Sequence, residues 1–240
     1  MPAIVEIRLD GPVDVEFKPD WVHGLAADWI ETGWSSEQHQ APKPYAVSLP
    51  FKSPEGLLTF RLRLLDDAMV ESCRTAANVA RASGVRLGST TYGLVDVSLV
   101  DQRTLAELAA GARAARSHTF QFLTPTFFRS GTLTLPLPVP TSVFHSLQRS
   151  WTVAALAVGL DPPEARFPLL QMTELDIHTA RLPHHQRHWI GFVGTVSIEV
   201  DRSATTDERQ LVHALTHLAP YSGVGAHTQF GAGEVSVSSI

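Results

Sequence analysis

Tyr221-Ser-Gly-Val-Gly-Ala-His-Thr-Gln-Phe-Gly-Ala-Gly-Glu-Val235 spaces four glycines, Gly223, Gly225, Gly231 and Gly233, as G-x-G-x5-G-x-G. A dinucleotide fingerprint or a P-loop needs a strand before its glycines and a helix opening directly after them, because the helix N-terminus supplies N–H donors and dipole to the phosphates. Here seven residues follow Gly233, and Glu234-Val-Ser-Val-Ser-Ser-Ile240 alternates apolar with polar, so the glycines lead into a strand. A nucleotide fold is excluded by position. Glycine before a strand lets backbone press close to something else, and both a packing corner and a phosphate cradle fit that description.

Upstream of this loop, hydrophobic periodicity predicts strand 118–124, a short hairpin arm through Leu133-Thr-Leu135, helix 141–157, strands 169–179 and 189–200, helix 206–218 and a last strand over 233–239. The first half reads in the same order: strand 3–9, helix 20–33, strands 45–50 and 57–65, helix 68–83, strand 91–100, then a short Ala-rich helix over 103–115. Each half is a β-α-β-β-α-β unit. The predicted class is therefore α+β, two tandem ferredoxin-like (RRM-like) units with antiparallel sheets, residues 1–117 and 118–240. Residues 182–188, Leu-Pro-His-His-Gln-Arg-His, read as a polar loop joining the central hairpin of the second unit.

Composition narrows the possibilities. At 240 residues and 44% hydrophobic the chain can bury a substantial core, and with the single Cys73 it can form neither an intramolecular disulfide nor a thiolate zinc cluster. No apolar run approaches the roughly 20 residues of a membrane span, so a cytoplasmic protein without membrane contact is expected. The net charge of −5 speaks against a broadly basic nucleic-acid surface. Yet 16 of the 19 cationic residues are Arg, the side chain suited to bidentate phosphate contacts, so a local patch can still serve RNA.

Within a duplicated ferredoxin-like chain, the glycine-rich loop before the last strand resembles the signature of the RAMP superfamily. Three further segments extend the likeness: Pro42-Lys-Pro-Tyr-Ala-Val-Ser48 after a His-bearing stretch, Leu123-Thr-Pro-Thr-Phe-Phe-Arg129 opening the second unit, and Trp189-Ile-Gly-Phe-Val-Gly194 in its central hairpin. Together, in this order, they resemble the CRISPR-associated repeat-processing endoribonucleases of the Cas6 family. The resemblance implies binding of CRISPR repeat RNA and cleavage of precursor crRNA within each repeat, with no cofactor and no metal. It also leaves open a second role, that of a non-catalytic RAMP subunit holding guide RNA among other CRISPR effector subunits.

Metal-free RNA cleavage needs the ribose 2′-OH to attack the neighbouring phosphorus, a base to take its proton and an acid to protonate the departing 5′ oxygen. Histidine suits both roles, because its unperturbed pKa near 6.5 keeps both protonation states populated at neutral pH. The resemblance assigns a catalytic role to His39, just before the Pro-Lys element, and to Lys43, whose ammonium would stabilise charge on the phosphorane. Where some members carry a catalytic Tyr on the first helix this chain has Ala27, and His23 of that helix is the candidate replacement. For RNA binding the expected residues are Gly223, Gly225, His227, Gly231 and Gly233 of the loop, with Arg129, Arg181 and Arg187.

Other patterns carry less. His184, His185 and His188 invite a metal, but no carboxylate lies in their loop, and phosphate contact suits them better. His213 and His217 stand i, i+4 as in a zincin, but Ala214 occupies the place of the general-base Glu, and they read as helix-surface residues. Arg61, Arg63, Arg129 and Arg149 read as exposed cations flanking a groove between the units.

Overall fold

In the computed structural model, residues 1–13, 17–35, 38, 42–110, 115–162, 166–184 and 187–239 are described. His39 and His185 lie outside them, as do residues 111–114 of the Ala-rich segment.

Strand β1 (Ala3–Asp10) alternates strictly, with Ala3, Val5, Ile7 and Leu9 buried, as a half-buried strand must. It pairs antiparallel with β4 (Leu58–Leu64) on one side and β6 (Thr90–Gln102) on the other. With β2 (Tyr45–Val47) and β5 (Val85–Leu87) the order is β2-β4-β1-β6-β5, and β3 (Phe51–Lys52) also pairs with β4. Two helices cover one face. Helix α1 (Pro19–Ile30) begins at a proline whose fixed φ suits a first turn, and it lays Val22, Leu25, Ala26 and Trp29 on the core. It stops at Ile30, short of the predicted 33, and the chain turns through Gly33 at φ 86°. Helix α2 (Asp67–Ser83) is capped by Asp66, whose carboxylate accepts from Ala68 N at 3.1 Å, and buries Met69, Cys73, Ala77 and Ala80. The short α3 (Leu105–Ala109) opens on a capping box of Thr104 and Glu107.

The second half repeats the plan. Its sheet runs β10-β11-β7-β12, from β7 (Ser117–Thr126), β10 (Leu170–His184), β11 (Arg187–Val200) and β12 (Val235–Ser239). The arm is the hairpin of β8 (Phe128–Ser130) and β9 (Leu133–Leu135). Helices α4 (Pro140–Ala157) and α5 (Thr206–Ser222) close the core over Phe120, Phe144, Leu147, Phe192, Ile198 and Leu215. Tandem ferredoxin-like units are thus the fold.

The predicted polar loop over 182–188 is instead the end of a long hairpin. β10 and β11 stay paired through Leu182↔Trp189 and His184↔Arg187. The reason is apolar: Leu182 is buried with Phe127 and Ala232 in a small cluster against which Trp189 packs, so one face of this polar stretch is interior.

The halves share a core of Leu65, Leu105, Leu108, Ala154, Leu218 and Tyr221. Polar links cross the same seam. Tyr221 donates its hydroxyl to Asp101 Oδ2 at 2.5 Å. Arg63 of β4 pairs with Glu234 just before β12. Arg63 is therefore a buried structural cation and not an exposed one, a partnership that its own segment does not reveal.

Candidate active site

The glycine-rich loop is fastened to its surroundings. Gly223 caps α5 with its N–H on Ala219 O at 2.9 Å, Val224 N donates to Gly233 O at 2.9 Å, Ala226 N to Phe127 O at 2.9 Å, and Gly225 N to Ser146 Oγ at 2.8 Å. A Cβ on Gly225, at φ 94°, would stand 2.5 Å from Phe127 O, and one on Gly233, at φ 70°, would enter the Val224 carbonyl. The glycines thus meet this chain's own backbone. What they present to the surface is the turn Ala226–Phe230.

That turn is where the two ends of the chain meet. His227 adopts φ 60°, left-handed for a non-glycine residue, and stacks on Trp189 of β11 with ring centroids 4.1 Å apart and planes at 17°. Trp189 also stacks with His184 at 4.0 Å and 19°, and His184 Nδ1 lies 3.1 Å from Asp20 Oδ1 of α1. Phe230, in the turn Thr228–Phe230, packs against His23 of α1 at 4.1 Å. Burial first, then the Arg129 guanidinium and His184, pull the His227 imidazole down to about 4, so it is neutral at pH 7.

Behind His23 sits a polar cluster. Lys43 Nζ is 2.8 Å from Glu31 Oε2 and 5.1 Å from the centroid of the Trp34 ring. Tyr45 donates its hydroxyl to Glu31 Oε1 at 2.5 Å, and the Tyr45 hydroxyl oxygen lies 3.5 Å from His23 Nδ1. Burial, then this hydrogen bond, raises Tyr45 far above an ordinary phenol, which keeps it a donor. Burial lowers His23 below the usual imidazole range, against an opposing pull from Glu31.

Two cavities adjoin across Arg129 and His227. One, of about 650 Å³, is lined by Lys43, Arg129, Arg149, Gly225, His227 and Gln229, and the other, of about 850 Å³, by Lys18, Arg129, Arg187, His188, Trp189 and His227. Cations from both halves face one groove, an arrangement fit to hold a phosphate backbone. Of the predicted residues, Lys43, Arg129, Arg187, His227 and Gly225 line these cavities and His23 lies beside them. Gly223, Gly231 and Gly233 are buried beneath, while Arg181 stands exposed on β10 and lines neither cavity. Glu31, Tyr45 and the Trp189 stack escape sequence reasoning. Glu31 carries one signal, an acid at the C-terminal end of a helix, where the dipole favours a cation.

His213, read as a surface residue, is 8% exposed, and with His217 and His118 it forms a second cluster around Ser239 Oγ. Helix α5 turns it inward onto β7. Among the described residues no three His, Cys, Asp or Glu side chains gather as a metal site.

Two ferredoxin-like units in tandem, with a glycine-rich loop before the last strand and a cationic groove between the units, define a RAMP-like fold. The sequence pattern of the CRISPR-associated endoribonuclease Cas6 matches residues 120–235. A Cas6 of Thermus thermophilus in its product complex superposes with a TM-score of 0.81 at 26% identity, over 99% of this chain and 100% of that one. A second Cas6, also a product complex, gives 0.81 at 25% identity over 99% of each. A Cas6-related protein of Pyrococcus furiosus shares the fold alone, with a TM-score of 0.63 at 13% identity over 99% of each chain. No match arises among curated proteins. Residues 120–235 carry the Cas6 sequence pattern, and the chain along its whole length is similar to solved Cas6 structures.

Proposed function

We propose that this protein binds CRISPR repeat RNA and cleaves precursor crRNA within each repeat, in the cytoplasm and without a metal ion. The 2′-OH upstream of the cut attacks phosphorus, leaving a 2′,3′-cyclic phosphate and a 5′-hydroxyl. The observation that carries this is the convergence of Lys43, Arg129, Arg149 and the glycine-rich loop on one cavity beside His23, drawn from both halves of the chain. Lys43 and Arg129 suit charge stabilisation on the phosphorane. His23, and His39 on the segment leading to Lys43, are the proton-transfer candidates. Product complexes of relatives support turnover of a substrate on this fold. The cavity beside Trp189, with Lys18, Arg129 and Arg187 in its wall, suits the RNA that flanks the cut.

The test is labelled repeat RNA from the same genome, incubated in excess EDTA, with a matching RNA carrying a 2′-deoxy residue just upstream of the cut. Cleavage of the first and none of the second is expected. A requirement for a divalent ion, or cutting of the deoxy substrate, defeats the chemistry. Tight binding without any cleavage would point to the non-catalytic RAMP role.

A further inference from the structure

Glu31 sits where a carboxylate is doubly disfavoured. It is the C-cap of α1, at the negative end of the helix dipole, and it is only 8% exposed. Lys43 Nζ at 2.8 Å and the Tyr45 hydroxyl at 2.5 Å each engage one of its oxygens. A buried carboxylate at a helix C-terminus held by two residues of the candidate site and its support is a feature that stability alone does not ask for, since a buried ion pair is seldom better than apolar packing.

We propose that Glu31 is a positioning residue of the reaction, anchoring the Lys43 ammonium at the wall of the cavity and, through Tyr45, holding the His23 ring in place. This rests on the endoribonuclease reading above. Lys43 has three N–H donors, and the one directed at Glu31 leaves two for a phosphate oxygen. Its side chain is 18% exposed and lines the cavity together with Arg129 and Arg149. Tyr45 is 2% exposed, so its hydroxyl cannot turn to water, and its single proton is committed to Glu31. Its oxygen can then only accept, and His23 Nδ1, 3.5 Å away, donates to it when it carries a hydrogen.

His23 is faced by Glu31 and Asp20 of its own helix, by Lys43 and Tyr45 from the segment entering β2, and by the Gln229 carbonyl and Phe230 ring of the loop. Burial lowers its proton affinity most and the Lys43 ammonium lowers it further, while Glu31 is the foremost of the groups that raise it. Glu31→Gln keeps the shape and one acceptor oxygen but removes the charge. His23 should then hold its proton less well.

The experiment compares wild type, Glu31→Gln, Lys43→Ala, the double variant and Tyr45→Phe. It follows single-turnover cleavage of repeat RNA from pH 5 to 9, repeat affinity, and the His23 titration by NMR in the free protein. Glu31→Gln should slow cleavage about 10- to 100-fold, the range of one charge-assisted hydrogen bond, with repeat affinity within about twofold of wild type. The double variant should lose less than the product of the two single losses, because Glu31 acts in part through Lys43. The His23 titration, and the limb of the pH–rate profile it governs, should move to lower pH in Glu31→Gln. If that variant fails to fold, Tyr45→Phe must still displace the His23 titration. An unmoved titration, or losses in Glu31→Gln and Lys43→Ala that multiply, would overturn the proposal. Wild type that binds no repeat RNA and cleaves none sinks the endoribonuclease reading instead, while the NMR titration still decides the Glu31 link.

Discussion

His23 of α1 lies with its ring centroid 4.1 Å from that of Phe230 in the glycine-rich loop. Sequence order puts the proposed cutting residues near one end of the chain and the proposed binding loop at the other. Folding brings them into one place, because the halves pack through a shared apolar seam and the turn Thr228–Phe230 docks on α1 and β2. The contact suggests that loop and helix act together, and that perturbing either will be felt at the other.

His39→Ala should abolish cleavage while leaving repeat binding largely intact, and His23→Ala should slow it by about 10²-fold or more if His23 transfers a proton. Single-turnover rates on labelled repeat, read beside a binding isotherm, separate the two. A His39→Ala protein that keeps most of its rate would remove that residue from the mechanism.

Gly225→Ala tests the loop as a packed element. Its φ of 94° and the 2.5 Å approach to Phe127 O combine backbone strain with a clash, whereas Gly131, at φ 60°, has open space around its missing Cβ. Strain alone costs about 1–3 kcal/mol. Thermal melts should therefore show a larger loss for Gly225→Ala than for Gly131→Ala, and repeat affinity should fall only in the first. Equal melting points would mean that the loop yields easily.

Acid should destabilise the protein through His118. It is fully buried, its Nδ1 lies 3.0 Å from Ser239 Oγ, and burial, then His213 and His217, draw it down to about 4. The unfolded chain binds this proton near pH 6.5 and the folded chain does not, so stability falls as the pH drops from about 6.5 towards 4. The loss at full effect is on the order of 3 kcal/mol. Urea unfolding at pH 7 and pH 5 should show it, and His118→Gln should shrink the difference while leaving the share of His227, which is likewise drawn down to about 4.

The ferredoxin-like plan was legible because its elements carry local signals. β1 alternates without a fault, α2 is capped by Asp66, and α5 opens on a Thr205/Glu208 capping box. The site was legible only where one segment held the information. Lys43, Arg129 and His227 stand in recognisable motifs, and all line the groove. Arg63 and His213 were misread because burial is decided by partners distant in sequence, Glu234 for the one and His118 of β7 for the other. The 182–188 stretch misled because its polar residues hide Leu182 and Trp189, which occupy facing positions only once the hairpin is paired.

Arg63 and Glu234 provide the last test, because they join the two halves directly beneath the loop. Arg63 is 4% exposed, and burial lowers its hold on its proton against the pull of Glu234. Removing one member leaves the other charge buried and unpaired, at a cost of about 3–5 kcal/mol. Glu234→Gln should therefore lower the melting temperature by roughly 6–20 °C for a chain of this size. Arg63→Met with Glu234→Gln, which removes both charges, should recover much of that loss. If the double variant melts no higher than Glu234→Gln, the pair is not what joins the halves there.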